Sequence, residues 1–222
     1  MKTILLTGLE KTNLKAKELL KNKDCLTINF PLQKMLPMKG AEIPDLKFDW
    51  VIFTSSSAIN LSNEKLFIES AKFATVGPST TQALNNKGYE SSLVPEDNFS
   101  AEGLIEEFKK IPESLNVLYP TSILADKTIE TGLNALGHNV HRINSYKPIE
   151  IKLDEMPEFT DIAFFSGSGV ELFHKKFGES SLTNKKAVAI GKSTAAAFKK
   201  LFGYEPTLAK ESTVAGVVES FL

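Results

Sequence analysis

Residues 187–195 read Ala187-Val188-Ala189-Ile190-Gly191-Lys192-Ser193-Thr194-Ala195, a short apolar run closed by a glycine and two hydroxyls. An earlier stretch, Phe73-Ala74-Thr75-Val76-Gly77-Pro78-Ser79-Thr80-Thr81, has the same order. Taken alone, Gly191-Lys192-Ser193-Thr194 resembles the end of a phosphate-binding P-loop. That motif needs a glycine five residues before Gly191, and the residue there is Lys186. The earlier copy has Pro78 where this one has Lys192, so the lysine is the expendable position. The glycine turn and the hydroxyls are what both copies keep, and the nucleotide reading fails.

The correspondence extends outward from these turns. Gly88-Tyr89-Glu90 answers Gly203-Tyr204-Glu205, and Ser100-x-x-Gly103-Leu104 answers Thr213-x-x-Gly216-Val217. Asp49-Trp50-Val51-Ile52-Phe53-Thr54-Ser55-Ser56-Ser57 answers Asp161-Ile162-Ala163-Phe164-Phe165-Ser166-Gly167-Ser168-Gly169. Ile4-Leu5-Leu6 has a counterpart in Val117-Leu118-Tyr119. Solenoid repeats recur every ~20–50 residues. This spacing is much longer and describes two similar half-molecules.

Each half alternates short apolar runs (Ile4–Thr7, Val51–Thr54, Phe73–Val76, Val117–Tyr119, Ile162–Ser166, Ala187–Ile190) with stretches of helical period. Such runs suit strands buried on both faces. Thr80, Ala83, Leu84 and Lys87 in one half, and Thr194, Ala197, Phe198 and Leu201 in the other, mark one face of a helix. Gly88 and Gly203 stand where left-handed helix caps belong. Strand–turn–helix alternation predicts an α/β fold with parallel sheets covered by helices on both faces. Asn29–Pro37 and Ser145–Ile151 carry prolines and no helical period, which predicts two extended connections. A simple tandem needs only one connection. Two predict a discontinuous plan: residues 1–31 plus 152–222 as domain 1, 38–143 as domain 2, and 32–37 and 144–151 as linker strands.

In a parallel α/β sheet, ligands bind beyond the carboxyl ends of the strands, where helix N-termini aim backbone N–H groups outward. Five turns at such ends are rich in hydroxyls and glycine and nearly free of charge. They are Thr54–Ser57, Gly77–Thr80, Tyr119–Ser122, Ser166–Gly169 and Gly191–Thr194. Ser and Thr are ordinary helix caps, so one such turn implies only a helix start. Gathered at one cleft, several would suit oxyanions.

Composition sets the bounds. The chain has 222 residues, 42% hydrophobic and 24% charged, with a formal net charge of −1, which argues against a surface for coating nucleic acid. Cys25 is the only cysteine, so no internal disulfide forms, and its apolar run Cys25-Leu26-Thr27-Ile28 predicts a small buried residue. The N-terminal apolar stretch is too short for a signal peptide, and no apolar run reaches the ~20 residues that span a bilayer. A cytoplasmic location away from membranes is expected. His138, His141 and His174 lack zinc or triad spacing and read as packing or surface residues. Lys109-Lys110, Lys175-Lys176 and Lys185-Lys186 read as solvated helix ends and loops. From the residues alone, the chain is a two-lobed binder of an anion or small molecule.

Ile52-Phe53-Thr54-Ser55, Val76-Gly77-x-x-Thr80, Ser145-Tyr146-Lys147-Pro148, Phe164-Phe165-Ser166-x-Ser168-Gly169, Ala189-Ile190-Gly191-x-x-Thr194-Ala195 and Thr213-Val214-Ala215-Gly216 follow one another in an order that resembles the uroporphyrinogen-III synthase family. The likeness covers almost the whole chain. It implies two flavodoxin-like domains joined by a two-stranded ladder. It also implies a lyase of tetrapyrrole (heme) biosynthesis, which closes hydroxymethylbilane into uroporphyrinogen III, inverting the last ring and losing water. No cofactor or metal is implied. The implied partners are the tetrapyrrole substrate and an upstream deaminase in transient hand-off, and the implied state is a monomer. By resemblance, Tyr146 is the catalytic residue, donating a proton or a hydrogen bond to the leaving hydroxyl. Thr54, Ser55, Ser56, Gly77, Thr80, Ser166, Gly167, Ser168, Gly169 and Thr194 bind substrate, with Thr194 facing Thr80. Many members carry arginine soon after the first strand and after the middle strand, where this chain has Thr7-Gly8 and Pro120-Thr121-Ser122. A non-catalytic two-lobed small-molecule or anion-binding protein, and an inactive interaction module of the same fold, remain as alternatives.

Overall fold

The structure, a computed structural model, describes residues 1–38, 42–68, 71–153 and 155–222. The chain begins with β1 (Lys2–Leu6), α1 (Glu10–Leu20) and β2 (Cys25–Asn29), then passes through β3 (Gln33–Pro37). It continues with β4 (Trp50–Phe53), α2 (Ser56–Leu61), β5 (Lys72–Thr75), α3 (Pro78–Asn85), α4 (Ala101–Phe108), β6 (Asn116–Ser122), α5 (Thr128–Ala135) and β7 (Asn139–Glu150). The remainder is β8 (Asp161–Phe164), α6 (Gly167–Phe177), β9 (Lys186–Ala189), α7 (Lys192–Phe202), β10 (Thr207–Leu208) and α8 (Val214–Glu219). Met1–Lys34 with Ile149–Leu222 forms unit 1, and Met35–Pro148 forms unit 2.

Unit 1 holds a sheet in the order β10-β9-β8-β1-β2, parallel throughout. That is the doubly wound order of flavodoxin-like folds. Alternate residues of each strand feed opposite faces: Leu5, Ile162 and Phe164 join Phe173, Phe198 and Phe202 on one side. Ile4, Leu6, Ala163 and Val188 join Ala16, Val217 and Phe221 on the other. Burial on both faces explains why these strands read as unbroken apolar runs. Cys25 departs from its expected burial. It lies on β2, the edge strand, and is half-buried.

Unit 2 holds a sheet in the order β3-β7-β6-β4-β5. β5, β4, β6 and β7 are parallel neighbours. β3 runs antiparallel to β7, bracketed by Ile151 N–H→Leu32 O at 2.9 Å and Met38 N–H→Ser145 O at 2.8 Å. These two proline-bearing segments form the two-stranded ladder. Val51 and Phe53 face Phe67, Phe73 and Leu84, whereas Trp50 and Ile52 face Leu104, Phe108 and Leu133.

The repeat has a local physical basis. Ser100 and Thr213 cap α4 and α8 by accepting from the N–H of Gly103 and Gly216. The preceding loop folds so closely over each helix that a Cβ on Gly103 would lie 1.9 Å from the Asn98 carbonyl oxygen. At Gly216 it would lie 2.3 Å from that of Glu211. Gly203 closes α7 in the left-handed region with φ 77°, and Gly88 has φ 87° just beyond α3. Lys87, expected on the helix face, lies past the end of α3.

The histidines pack edge-on against phenylalanine: His138 on Phe108, His141 on Phe48 and His174 on Phe202. Lys109 and Lys110 pair with Glu106 and Glu107, and Lys175 pairs with Glu150. Among the described residues no helix is long and apolar enough to cross a membrane.

Candidate active site

In unit 2 the carboxyl ends of β4 and β6 and the middle of β7 come level along one sheet edge, since Ser122 pairs with Tyr146. Ser55 caps α2, its Oγ accepting the Ala58 N–H at 3.1 Å. The same Oγ lies 2.9 Å from the Tyr146 hydroxyl. Ser55 Oγ keeps a second lone pair and its own proton, so either hydroxyl can donate across this contact. Thr54 Oγ1 lies 3.3 Å from the Tyr119 hydroxyl, to which Thr121 donates at 3.2 Å. Ser145 Oγ donates to the Thr121 carbonyl at 3.3 Å. Two phenols and several aliphatic hydroxyls thus form one cluster.

Tyr146 is buried. Burial pushes its phenol above the usual tyrosine range, the Ser55 hydrogen bond pulls against that, and the nearby Tyr119 adds to the rise. The phenol therefore stays protonated across neutral pH.

The structure shifts one sequence correspondence. Val51 pairs with Phe73 and Ile162 with Ala187, so Val51 matches Ile162 and Ser55 matches Ser166. Both serines are caps, Ser166 accepting from Gly169 at 3.1 Å. The expected pairing of Thr54 with Ser166 is off by one residue. A run of three serines offers three equivalent caps, and only strand register selects among them. The Tyr119–Ser122 stretch, expected as a turn, instead belongs to strand β6. Pro120 is tolerated there because β4 pairs only with Val117 and Leu118, leaving β6 with one neighbour beyond.

Gly77 and Gly191 are the N-caps of α3 and α7, as the repeat predicts. Lys186–Ala189 is a strand, which confirms that no phosphate-wrapping arc precedes Gly191. Thr80 and Thr194 are buried against their own units, whereas Ser79 and Ser193 beside them are exposed. Ser56 and Gly167 occupy first turns, Gly169 is buried, and Ser168 is exposed. Ser168 Oγ lies 3.2 Å from Ser166 Oγ and accepts from Gln33 at 3.2 Å.

At the end of β1, Thr7 donates to the Ala163 carbonyl at 2.7 Å. Asn13, fully buried, donates to Leu6 O, Gly8 O and Asn29 Oδ1. A Cβ on Gly8 would stand 2.8 Å from the Phe165 ring and 2.9 Å from Asn13 Oδ1. No side chain, arginine included, fits there without repacking. A cavity of about 150 Å³ in unit 1, lined in part by Leu32, Leu172 and Lys175, lies apart from these strand ends. The sequence analysis did not single out Tyr119, Thr121 or Ser145 as site residues, although it placed the first two in a hydroxyl-rich stretch at a strand end and Ser145 beside Tyr146.

The fold and this edge define a class of protein. It has two α/β sheets whose strand ends offer hydroxyls, phenols and backbone amides, and among the described residues no cluster of three or more metal-ligating side chains. Within that class, the chain belongs to the uroporphyrinogen-III synthase HemD family, whose model matches residues 15–219. It is 26% identical over 195 residues to the porphyrin biosynthesis protein HemD of Ruminiclostridium josui, covering 79% of this chain but only 38% of that protein. It is 23% identical over 211 residues to the uroporphyrinogen-III synthase of Synechococcus elongatus, covering 85% of this chain and 80% of that one. The fold matches the crystal structure of uroporphyrinogen-III synthetase from Helicobacter pylori with TM-score 0.70 at 19% identity, over 100% of this chain and 98% of that one. A Thermus thermophilus uroporphyrinogen III synthase mutant matches with TM-score 0.64 at 16% identity, over 100% and 97%.

Proposed function

We propose that the protein is a uroporphyrinogen-III synthase, a lyase that cyclises hydroxymethylbilane to uroporphyrinogen III with inversion of the last ring. The observation that carries this is the Ser55–Tyr146 hydroxyl pair on the sheet edge of a chain matched by that family across residues 15–219. The extended segments 32–37 and 144–151 are the linker strands of a discontinuous domain plan.

The reaction begins when the hydroxymethyl carbon loses its oxygen, a step that needs a proton on the leaving group. Tyr146 Oη supplies it. The carbon–oxygen bond breaks, water departs, and the methylene carbon is left electron-poor. Ser55 donates to the phenolate oxygen as charge develops there, with the α2 amide polarising Ser55 from behind. The proton lost when the ring closes returns to the phenolate, so the cycle balances without a co-reactant. A positioned acid contributes ~10²–10⁴-fold. Holding the chain so that the inverted closure outruns the direct one supplies much of the rest.

Each unit by itself offers neutral donors for acetate and propionate groups: Thr54, Ser56 and the Gly77–Thr80 turn in unit 2, and Ser166–Gly169 and Gly191–Thr194 in unit 1. Backbone amides and hydroxyls bind carboxylates without lysines. A cytosolic location belongs to the same reading, as do the hand-off from the upstream deaminase and the monomeric state. The test supplies porphobilinogen and that deaminase and identifies the porphyrin isomer. Mostly type III product supports the reading. Mostly type I, as forms without the protein, leaves a non-catalytic binder of the same fold.

A further inference from the structure

The chain's single arginine is not free to meet a carboxylate from outside the chain. Arg142, on β7, spends its whole guanidinium inward on the loop that follows β6. Nη2 donates to Ser122 O and Ala125 O, both at 2.9 Å, and to Ile123 O at 3.5 Å. Nη1 donates to Asp126 O at 3.2 Å and pairs with Glu130 on α5 at 2.8 Å, while Nε donates to Asn144 Oδ1 at 3.1 Å. The Arg142–Glu130 pair is mostly shielded, with side chains 15% and 22% exposed. Around this anchor the loop displays two large apolar side chains to solvent, Ile123 at 43% and Leu124 at 74% exposure. The loop begins at the Ser122–Tyr146 pair, and the Ile123 N–H donates to the Tyr146 carbonyl at 3.0 Å. What sets these two side chains apart from other exposed apolar residues is that they are adjacent, held by a mostly shielded guanidinium, and next to a hydroxyl cluster.

We propose that the Arg142-clamped loop 122–126 is a substrate-binding rim, on which Ile123 and Leu124 receive the apolar face of a pyrrole ring while the neighbouring hydroxyls take its carboxylates. Arg142 is a positioning residue: it replaces by geometry the grip that a charged side chain would give directly. Lysine does not substitute, because one ammonium cannot meet acceptors spread over four carbonyls, a carboxylate and an amide.

This rests on the synthase reading, and the experiment separates the two. Uroporphyrin III serves as a binding probe by its own fluorescence, alongside KM, kcat and isomer ratio in the coupled assay. Leu124→Asp, fully on the surface, is expected to weaken probe binding and raise KM by about tenfold, the size of one lost Leu contact. Its kcat and melting temperature are expected to stay near those of the wild type. Arg142→Gln and Arg142→Lys are expected to give the same KM-dominated loss. Probe affinity and KM both unchanged in Leu124→Asp would overturn the rim. A loss of melting temperature in the Arg142 variants without any change in KM or probe affinity would reduce Arg142 to a structural role and overturn its part. Wild-type protein that binds the probe but makes only type I product overturns the synthase reading alone, while probe binding still decides the rim.

Discussion

The two units build nearly the same sheet from different stretches of chain. Unit 1 reads β10-β9-β8-β1-β2 across. Unit 2 reads β5-β4-β6-β7, with Leu93 bridging to Ala74 in the place of β10 and β3 added beyond β7. The neighbours correspond, but the chain enters unit 1 at β1 and unit 2 at β4, the equivalent of β8, so the two are circular permutations of one arrangement. What differs is the strand end. After β1 the chain turns at once into α1, with Thr7 and Asn13 closing the edge onto backbone carbonyls. After β6 the strand runs on, and two phenols and a clamped loop occupy the same region. Shared architecture thus places the proposed binding groups in both units, and the proposed acid chemistry in only one.

The largest test of that asymmetry is Tyr146→Phe. Turnover is expected to fall by about 100-fold or more with folding retained, since a positioned acid is worth at least that; an unchanged rate of type III formation removes the donor role. Next come the paired glycines. Gly103→Ala and Gly216→Ala each force a Cβ into a carbonyl and are expected to cost about 2–3 kcal/mol, on the scale of overpacking. The 1.9 Å clash at Gly103 should cost more than the 2.3 Å clash at Gly216. Chemical denaturation would read both, and equal costs would mean that the loops yield equally.

The caps sharpen the comparison further. Ser55→Ala and Ser166→Ala each lose one N-cap, ~1 kcal/mol of stability. Only Ser55→Ala is expected also to lower kcat, by about tenfold, because only Ser55 touches a phenol. Equal kcat in the two variants would break the distinction. Tyr146 also predicts an alkaline limb. Its phenol titrates higher in the folded state than the ~10 of the unfolded chain, so its contribution is complete below about pH 10 and is lost as pH rises toward the folded value. The Tyr146→Phe variant should lack that part of the pH dependence of melting. Smallest is Lys192→Ala, for which ATP binding should be absent before and after; a micromolar affinity in the wild type would restore the P-loop reading.

Much of this architecture was legible because it is written twice. Val76-Gly77 and Ile190-Gly191 carry strand, turn and cap in four or five residues, and local chemistry suffices to recognise them. The ladder was visible through Pro31, Pro37 and Pro148, which exclude helix on their own. What stayed hidden depends on pairing at a distance. Ser55 could not be told from Ser56 as the cap until β4 met β5. Tyr119 looked like the start of a turn because Pro120 breaks strands locally, whereas β7 holds it extended. Arg142, on a polar strand it shares with Lys147, has no local pattern, and most of its acceptors sit twelve to twenty residues upstream. Tyr146 came from family resemblance rather than from any pattern around it.

The discontinuity of unit 1 has a consequence for biosynthesis. β1 is hydrogen-bonded to β8 on one side, yet all of unit 2 is synthesised between them. At ordinary elongation rates, β1 waits roughly ten to thirty seconds for that partner. Unit 2 is complete on emergence from the ribosome by Pro148 and can fold first, so Ile4, Leu5 and Leu6, apolar on both faces of β1, form the segment most in need of a chaperone.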